Sequence, residues 1–221
     1  MISKILFPIT LINSLIMAWF IGKIEYDIVA LHYNIHGNAD FYGSKWMLLI
    51  FAAIPLILSS IFWFYKSFTK NSNNKKHNDS AENKIISVII IFFMLISWMI
   101  IVIASSNTQR LGTPVLSGIA GLLGLLIISI SIFMPQIKPN KFLGIRTSAT
   151  LRDDSVWDKT HKFGFYTGII GGILTILFAL VSLITNVQWL CFAGIFCSIA
   201  GAIIPAIYSY IIYKKLNHPH N

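Results

Sequence analysis

Six runs of about 20 apolar residues alternate with polar links along this chain, each long enough as a helix, roughly 30 Å, to cross the hydrocarbon core of a bilayer. They cover residues 5–22, 46–65, 85–104, 114–134, 163–184 and 187–213, and none holds Asp, Glu, Lys or Arg within its apolar part. The pattern predicts an all-α integral membrane protein with six transmembrane helices. Pro8, Pro55, Pro114 and Pro205 fall in these runs or at their edges. Lipid tolerates them where neighbouring helices re-satisfy the carbonyls that prolines leave without donors.

The links set the orientation. With the N-terminus inside, the inner segments hold Lys4, then Lys66, Lys70, Lys75, Lys76 and Lys84, then Lys138, Lys141, Arg146, Arg152, Lys159 and Lys162, and finally Lys214 and Lys215. Only Lys23, Lys45 and Arg110 remain outside. Basic residues concentrate on the cytoplasmic side of membrane proteins, so both ends are expected in the cytoplasm (N-in/C-in). Composition agrees with lipid as solvent, for 11% of residues are charged against about a quarter in a soluble domain. The net charge of +9 follows from topology. No direct contact with nucleic acid is expected, because no basic stripe interleaved with aromatics lies outside the links.

Other features carry no predicted chemistry. The first run is too long for the apolar part of a signal peptide, and no small-x-small cleavage site follows it. It is expected to stay as a spanning helix. Cys191 and Cys197 are six apart with no second pair to complete a metal cage, which makes them small packing residues. The link "KSFTKNSNNKKHNDSAENK" is polar and Asn-rich, a flexible basic cytoplasmic loop over residues 66–84 that holds His77. His218 and His220 lie in the terminal tail. The expected organisation is a two-span region over residues 1–65 with an outer loop at 23–45, then the basic loop, then a four-span region over 85–221 with a cytoplasmic motif at 135–163.

That motif is the least lipid-like part of the chain. In "KPNKFLG", Pro139 fixes φ, Asn140 can bond its own backbone and Gly144 permits positive φ. "TLRD" fits a capping box, with Thr150 as N-cap and Asp153 at N3. "DDSVWDKTHKF" then predicts a short amphipathic cytoplasmic helix between spans four and five. Asp153 and Asp154 suit its positive end, and Lys159, His161 and Lys162 its negative end. Val156, Trp157, Thr160 and Phe163 gather on one side, with Trp157 expected to anchor at the inner headgroups. Gly164, Gly168 and Gly172 follow at every fourth residue, a stripe for close helix contact.

Outside, the links "SSNTQRLGT" and "TNVQ" are expected to be tight turns. The sizeable outer segment is "KIEYDIVALHYNIHGNADFYGSK". His32, His36 and Asp40 recur there at spacing four, which on a helix could line a metal site. Asn34, Gly37 and Asn38 favour a turn instead, so an ordered, hydrogen-bonded loop is expected, with no metal or cofactor.

These residues resemble a known family. "IKPNKFLGIRT", a following "TL" and "VWDKTHKFG" are similar to the C-terminal region of SdpI-type bacterial membrane proteins. The shared positions are Lys138, Pro139, Asn140, Gly144, Ile145, Arg146, Thr147, Thr150, Leu151, Val156, Trp157, Lys159, Thr160, His161 and Gly164. Ser148 and Ala149 stand where the family has Pro-Trp, and a Gly-Asn before the motif is missing. "LHYNIHGNADFYGSK" resembles the domain that often precedes this region, through His32, Asn34, Gly37, Asp40 and Lys45. There Ala30 replaces proline and Tyr33 replaces tryptophan.

The resemblance implies an immunity protein of the bacterial cell membrane, protecting a producing cell from a secreted, membrane-active peptide toxin. It further implies signalling, in which the toxin-engaged protein holds a cytosolic transcriptional repressor at the membrane. The outer motif would then be the peptide contact, and the inner motif the partner surface or a structural staple. A small transporter or toxin-export permease is the alternative, although coupled carriers bury carboxylates or histidines in their spans. The spans here hold neutral polar groups such as Asn13, Ser14, Ser97 and Thr175. Catalysis would fall to His161 with Asp158; no enzyme is expected, because no catalytic motif is present.

Overall fold

A computed structural model describes residues 2–68, 79–140 and 143–217. Lys70, Lys75, Lys76 and His77 of the basic loop, Lys141 of the inner motif, and the terminal His218 and His220 lie outside the described residues. The described helices are α1 (Ile2–Lys23), α2 (Leu49–Phe68), α3 (Asp79–Ser105), α4 (Thr113–Phe133), α5 (Asp154–Thr185) and α6 (Trp189–Asn217). All six are long and apolar enough to span a membrane. Each expected span is recovered; α3 and α5 begin in the polar residues before their apolar runs, while α2 and α6 begin just inside theirs. In hydrocarbon a spanning segment must satisfy its own backbone, and the α-helix does so within one segment.

The chain forms two compact units, residues 1–73 with 86–115, and residues 74–85 with 116–221. In the first, a β-hairpin joins α1 to α2, where only an ordered loop was expected. Strands β1 (Ile28–Tyr33) and β2 (Ala39–Ser44) pair antiparallel, with register irregularities after Ala30 and after His32. A 3-10 turn (Lys45–Leu48) then leads directly into α2, capped by the Ser44 hydroxyl. Val29 from the hairpin and Leu48 pack with Met17, Ile21, Ala52, Ile101 and Ala104 in one apolar core. The link before α4, expected as a tight turn, is hydrogen-bonded to the hairpin. Ala39 N–H donates to Gln109 O at 2.8 Å, and Leu111 N–H to Gly37 O at 2.7 Å.

Polar residues inside these spans join helices. The Thr10 and Ser59 hydroxyls pair at 2.5 Å, Ser14 Oγ donates to Ala52 O at 2.6 Å, and Trp98 Nε1 donates to Asn13 Oδ1 at 3.0 Å. Pro55 has no N–H to offer the carbonyl of Phe51, one turn earlier in α2. Ser97 Oγ of α3 donates to that carbonyl at 2.8 Å.

In the second unit α5 lies against both α4 and α6, through glycines on two faces. A Cβ on Gly172 would meet Gly124 O at 2.7 Å and Ile128 Cγ1 at 2.6 Å on α4. A Cβ on Gly171 would meet Cys197 O of α6 at 2.7 Å, and one on Gly201 would meet Thr167 O at 2.6 Å. The expected stripe is therefore used, and Gly171, outside its register, serves the second neighbour. Thr175 Oγ1 and Ser198 Oγ pair at 2.6 Å across α5 and α6. Cys191 is buried beside Ala120 and Ala179, the packing role expected of it.

The proline pattern of α2 recurs in α6. Pro205 leaves Gly201 O without its helical donor, and Thr167 Oγ1 of α5 donates to it at 2.8 Å. Thr167→Val is expected to lower stability in detergent by about 1 kcal/mol, the scale of hydrogen bonds between membrane helices. In a Pro205→Ala background the helix supplies its own N–H, so the same substitution should become nearly neutral. A double-mutant cycle on reversible unfolding measures that coupling.

Candidate functional site

The motif at residues 135–163 folds as a cap on the α5–α6 pair, closed by side chains that reach backbone groups. It begins as a 3-10 turn (Met134–Gln136) continuing from α4. Asn140 Nδ2 donates to Lys138 O and to Leu143 O, both at 2.9 Å, and its Oδ1 accepts Leu143 N–H at 2.7 Å. One amide thus closes the turn.

The centre of the cap is a stacked pair of rings. Trp157 and His161 lie one helical turn apart, with centroids 4.3 Å apart and planes 19° from parallel. Trp157 is fully buried and its Nε1 donates to Ile137 O at 2.8 Å. His161 Nε2 accepts Ile145 N–H at 3.0 Å, and its Nδ1 lies 2.9 Å from Trp157 O. A backbone N–H can only donate to an unprotonated ring nitrogen, so these bonds place the ring proton on Nδ1, facing the carbonyl. Gly144 makes this approach possible. Its φ is +116°, and a Cβ there would overlap His161 Nε2 and meet Trp157 Cη2 at 3.2 Å.

Two threonines close the rest. Thr150 Oγ1 accepts Thr147 N–H at 2.9 Å and donates to Ile145 O at 2.9 Å. The Thr147 hydroxyl pairs with Ser209 Oγ of α6 at 2.7 Å, tying the cap to that helix. Thr160 is buried, and its Oγ1 has no hydrogen-bond partner among the described residues.

Three expectations need correction here. Thr150 is not the N-cap. Its hydroxyl is taken by the loop, and Asp153 caps instead, Oδ1 accepting Ser155 N–H at 2.8 Å and Val156 N–H at 3.3 Å. The amphipathic segment is not a separate helix but the first turns of α5 (Asp154–Thr185), since no proline interrupts the chain between Lys162 and the apolar run. Trp157 is not a headgroup anchor; like Val156 it is buried beneath the cap, where Ile137 O supplies an acceptor for the indole.

The motif residues thus divide in two. Asn140, Gly144, Thr147, Trp157, Thr160 and His161 build the cap. Lys138, Pro139, Arg146 and Lys159 are exposed, and among the described residues Arg146 and Lys159 make no hydrogen bond or ion pair. Sequence reasoning missed Ile137 and Ser209 as partners, because nothing local marks an apolar residue whose carbonyl matters or a serine deep in another run.

The motif of the hairpin divides similarly. Asn34 Oδ1 accepts His36 N–H at 2.9 Å and Asn38 N–H at 3.1 Å, while Gly37 takes φ +78°, so this pair shapes the hairpin turn. Lys45 is buried. Its Nζ donates to Ile24 O at 2.8 Å and lies 3.3 Å from Asp27 Oδ1, which ties the end of α1 to the start of α2. His32 and Asp40 remain on the surface, joined Nδ1 to Oδ1 at 2.5 Å across the strands. The strand geometry brings these two together without His36, which sits in the turn. Tyr33 donates its hydroxyl to Thr108 O at 2.8 Å. Burial raises its phenol above the ordinary tyrosine value, with Tyr42 adding to the shift.

Residues 136–209 match the model of the SdpI/YfhL protein family. The match runs from the end of the 3-10 turn through the cap and α5 into α6, and it does not include the hairpin. No curated protein and no solved structure matches the chain. The positions that build the cap are among those through which the sequence resembles that family, and all lie within the matched range. The chain is accordingly a multi-pass membrane protein whose residues 136–209 are similar to the SdpI/YfhL protein family.

Proposed function

We propose that this protein confers immunity on a bacterial cell, residing in its plasma membrane with both termini in the cytoplasm and countering a secreted, membrane-active peptide. The hairpin is the outer surface of this reading and the cap the inner one, held cytoplasmic by the distribution of lysine and arginine. The observation that carries it is the SdpI/YfhL match over the cap. Protection needs no chemistry by the protein itself. The in-span hydroxyls and amides already join helices, which favours a packed bundle over a coupled carrier.

Signalling is the finer part of the proposal: the exposed cap, with Arg146 and Lys159, docks a cytosolic repressor. A deletion strain should become more sensitive to the cognate peptide, and restoring the gene should rescue it. Unchanged sensitivity across candidate peptides counts against immunity. Arg146→Ala should leave protein level and survival near the parent while reporter induction falls, because surface substitutions rarely exceed about 0.5 kcal/mol in stability. If survival and level fall with induction, Arg146 serves folding and the docking surface lies elsewhere.

A further inference from the structure

The hairpin of the first unit exposes large apolar side chains although it lies outside the spans. Ile28 is 65% exposed, Phe41 53% and Tyr42 44%. Ile28 pairs with Ser44 and Ala30 with Tyr42, which puts Ile28 and Tyr42 on one face of the sheet. The opposite face carries Val29 and Gly43, and a Cβ on Gly43 would meet Leu31 Cδ1 and Met47 Sδ. That face is the one in the core with Met17, Ile21, Ala52, Ile101 and Ala104.

Short tethers hold the hairpin at the helix ends. Four residues separate Lys23, the last of α1, from Ile28, and β2 passes into the 3-10 turn with none between. Lys45 fixes the first link to the second through Ile24 O. Ile28 and Ser44 form the pair at the foot of the hairpin, and Tyr42 lies two residues further along β2, about 7 Å at the usual rise of a strand, while headgroups extend roughly 5–7 Å beyond the hydrocarbon on each side. Ile28 and Tyr42 therefore stand within about the depth of the headgroup region. Near its foot two large rings are also exposed, Trp19 toward the end of α1 at 66% and Trp46 just after β2 at 53%. Each of these rings carries a lysine ammonium, Lys23 at 5.9 Å and Lys45 at 5.8 Å, the pairing of aromatic and basic groups found where a bilayer meets water.

From this placement we infer that the hairpin is a lipid-contacting element, with Ile28 and Tyr42 seated among phospholipid headgroups. The inference requires only that α1 and α2 cross a bilayer, and it stands whether or not the protein confers immunity. Where the immunity reading holds, a peptide meeting the hairpin meets it after partitioning into the membrane.

The test uses the full chain with Cys191 and Cys197 replaced by alanine and a single cysteine placed at Ile28 or at Tyr42. Each variant is labelled with an environment-sensitive nitrobenzoxadiazole dye and reconstituted in vesicles of phosphatidylethanolamine and phosphatidylglycerol. Only variants that melt in detergent like the unlabelled parent are compared, and the two strands provide independent reports. The expected result is a blue-shifted emission at both sites, with quenching by headgroup nitroxide lipid several-fold stronger than by aqueous iodide. Quenching by iodide to the extent seen for the free dye conjugate, without lipid quenching, overturns the inference and makes this face an aqueous protein-binding surface.

Discussion

Replacing Gly144 by alanine is expected to open the cap at a cost of roughly 3 kcal/mol, from left-handed backbone strain and overpacking acting together. The glycine holds φ +116°, and the added methyl would occupy the space of His161 Nε2 while pressing on the Trp157 ring. The backbone cannot relax easily, since Ile145 N–H is bonded to that same nitrogen and Ile145 O to Thr150. Relief would break the histidine contact, the indole stack, or both. Every 1.4 kcal/mol is tenfold in an equilibrium, so the open fraction should rise about 100-fold. Limited trypsin cleavage between residues 146 and 162 reads that opening, provided closing outpaces cleavage. Ser148→Ala is the control, because that side chain is exposed and reaches only Tyr210 Oη at 3.5 Å. Equal cleavage in the two variants would show that the stack does not hold the cap shut.

The second large effect is expected at Gly172. Its virtual Cβ meets a backbone oxygen, Gly124 O at 2.7 Å, and the reciprocal Cβ on Gly124 meets Gly172 O at 2.8 Å. A carbonyl inside a helix cannot swing aside as a flexible side chain can. Gly172→Ala should therefore push α4 from α5 and destabilise by about 1–3 kcal/mol. Gly172→Leu should prevent the close contact altogether. Gly121, also on α4, supplies the comparison, since nothing lies within 4 Å of a Cβ there. Gly121→Ala should be neutral or stabilise by up to about 1 kcal/mol through helix propensity. Thermal unfolding in one detergent orders the series, and a Gly172→Ala protein as stable as Gly121→Ala would refute the backbone contact.

The spans were legible because hydrocarbon leaves a sequence little choice. A run of about 20 apolar residues without charge declares itself, and no long-range information is needed to place α1 or α4. The glycine stripe was legible for a related reason, as small residues matter wherever helices approach. Other features depended on partners far along the chain. Trp157 looks amphipathic beside Asp158 and Lys159, and only the position of Ile137 O makes it a buried residue. "TLRD" satisfies the capping pattern, yet the loop takes the Thr150 hydroxyl and leaves the cap to Asp153. The hairpin escaped notice because "ADFYGS" lacks the alternation of a half-buried strand, and because Gln109 and Leu111 bond it from beyond two further helices. Lys45 reads as a surface cation until Ile24 O is seen beside it.

Pro55 and Pro205 act as keys. Each leaves one bare oxygen at a fixed height in its helix, and one hydroxyl on a neighbour, Ser97 or Thr167, fits it. A neighbour displaced by a single turn would move its hydroxyl about 5.4 Å along the axis and leave that oxygen stranded in oil, at several kcal/mol. During membrane insertion, where greasy surfaces discriminate poorly among partners, these two locks select both the mate and its height.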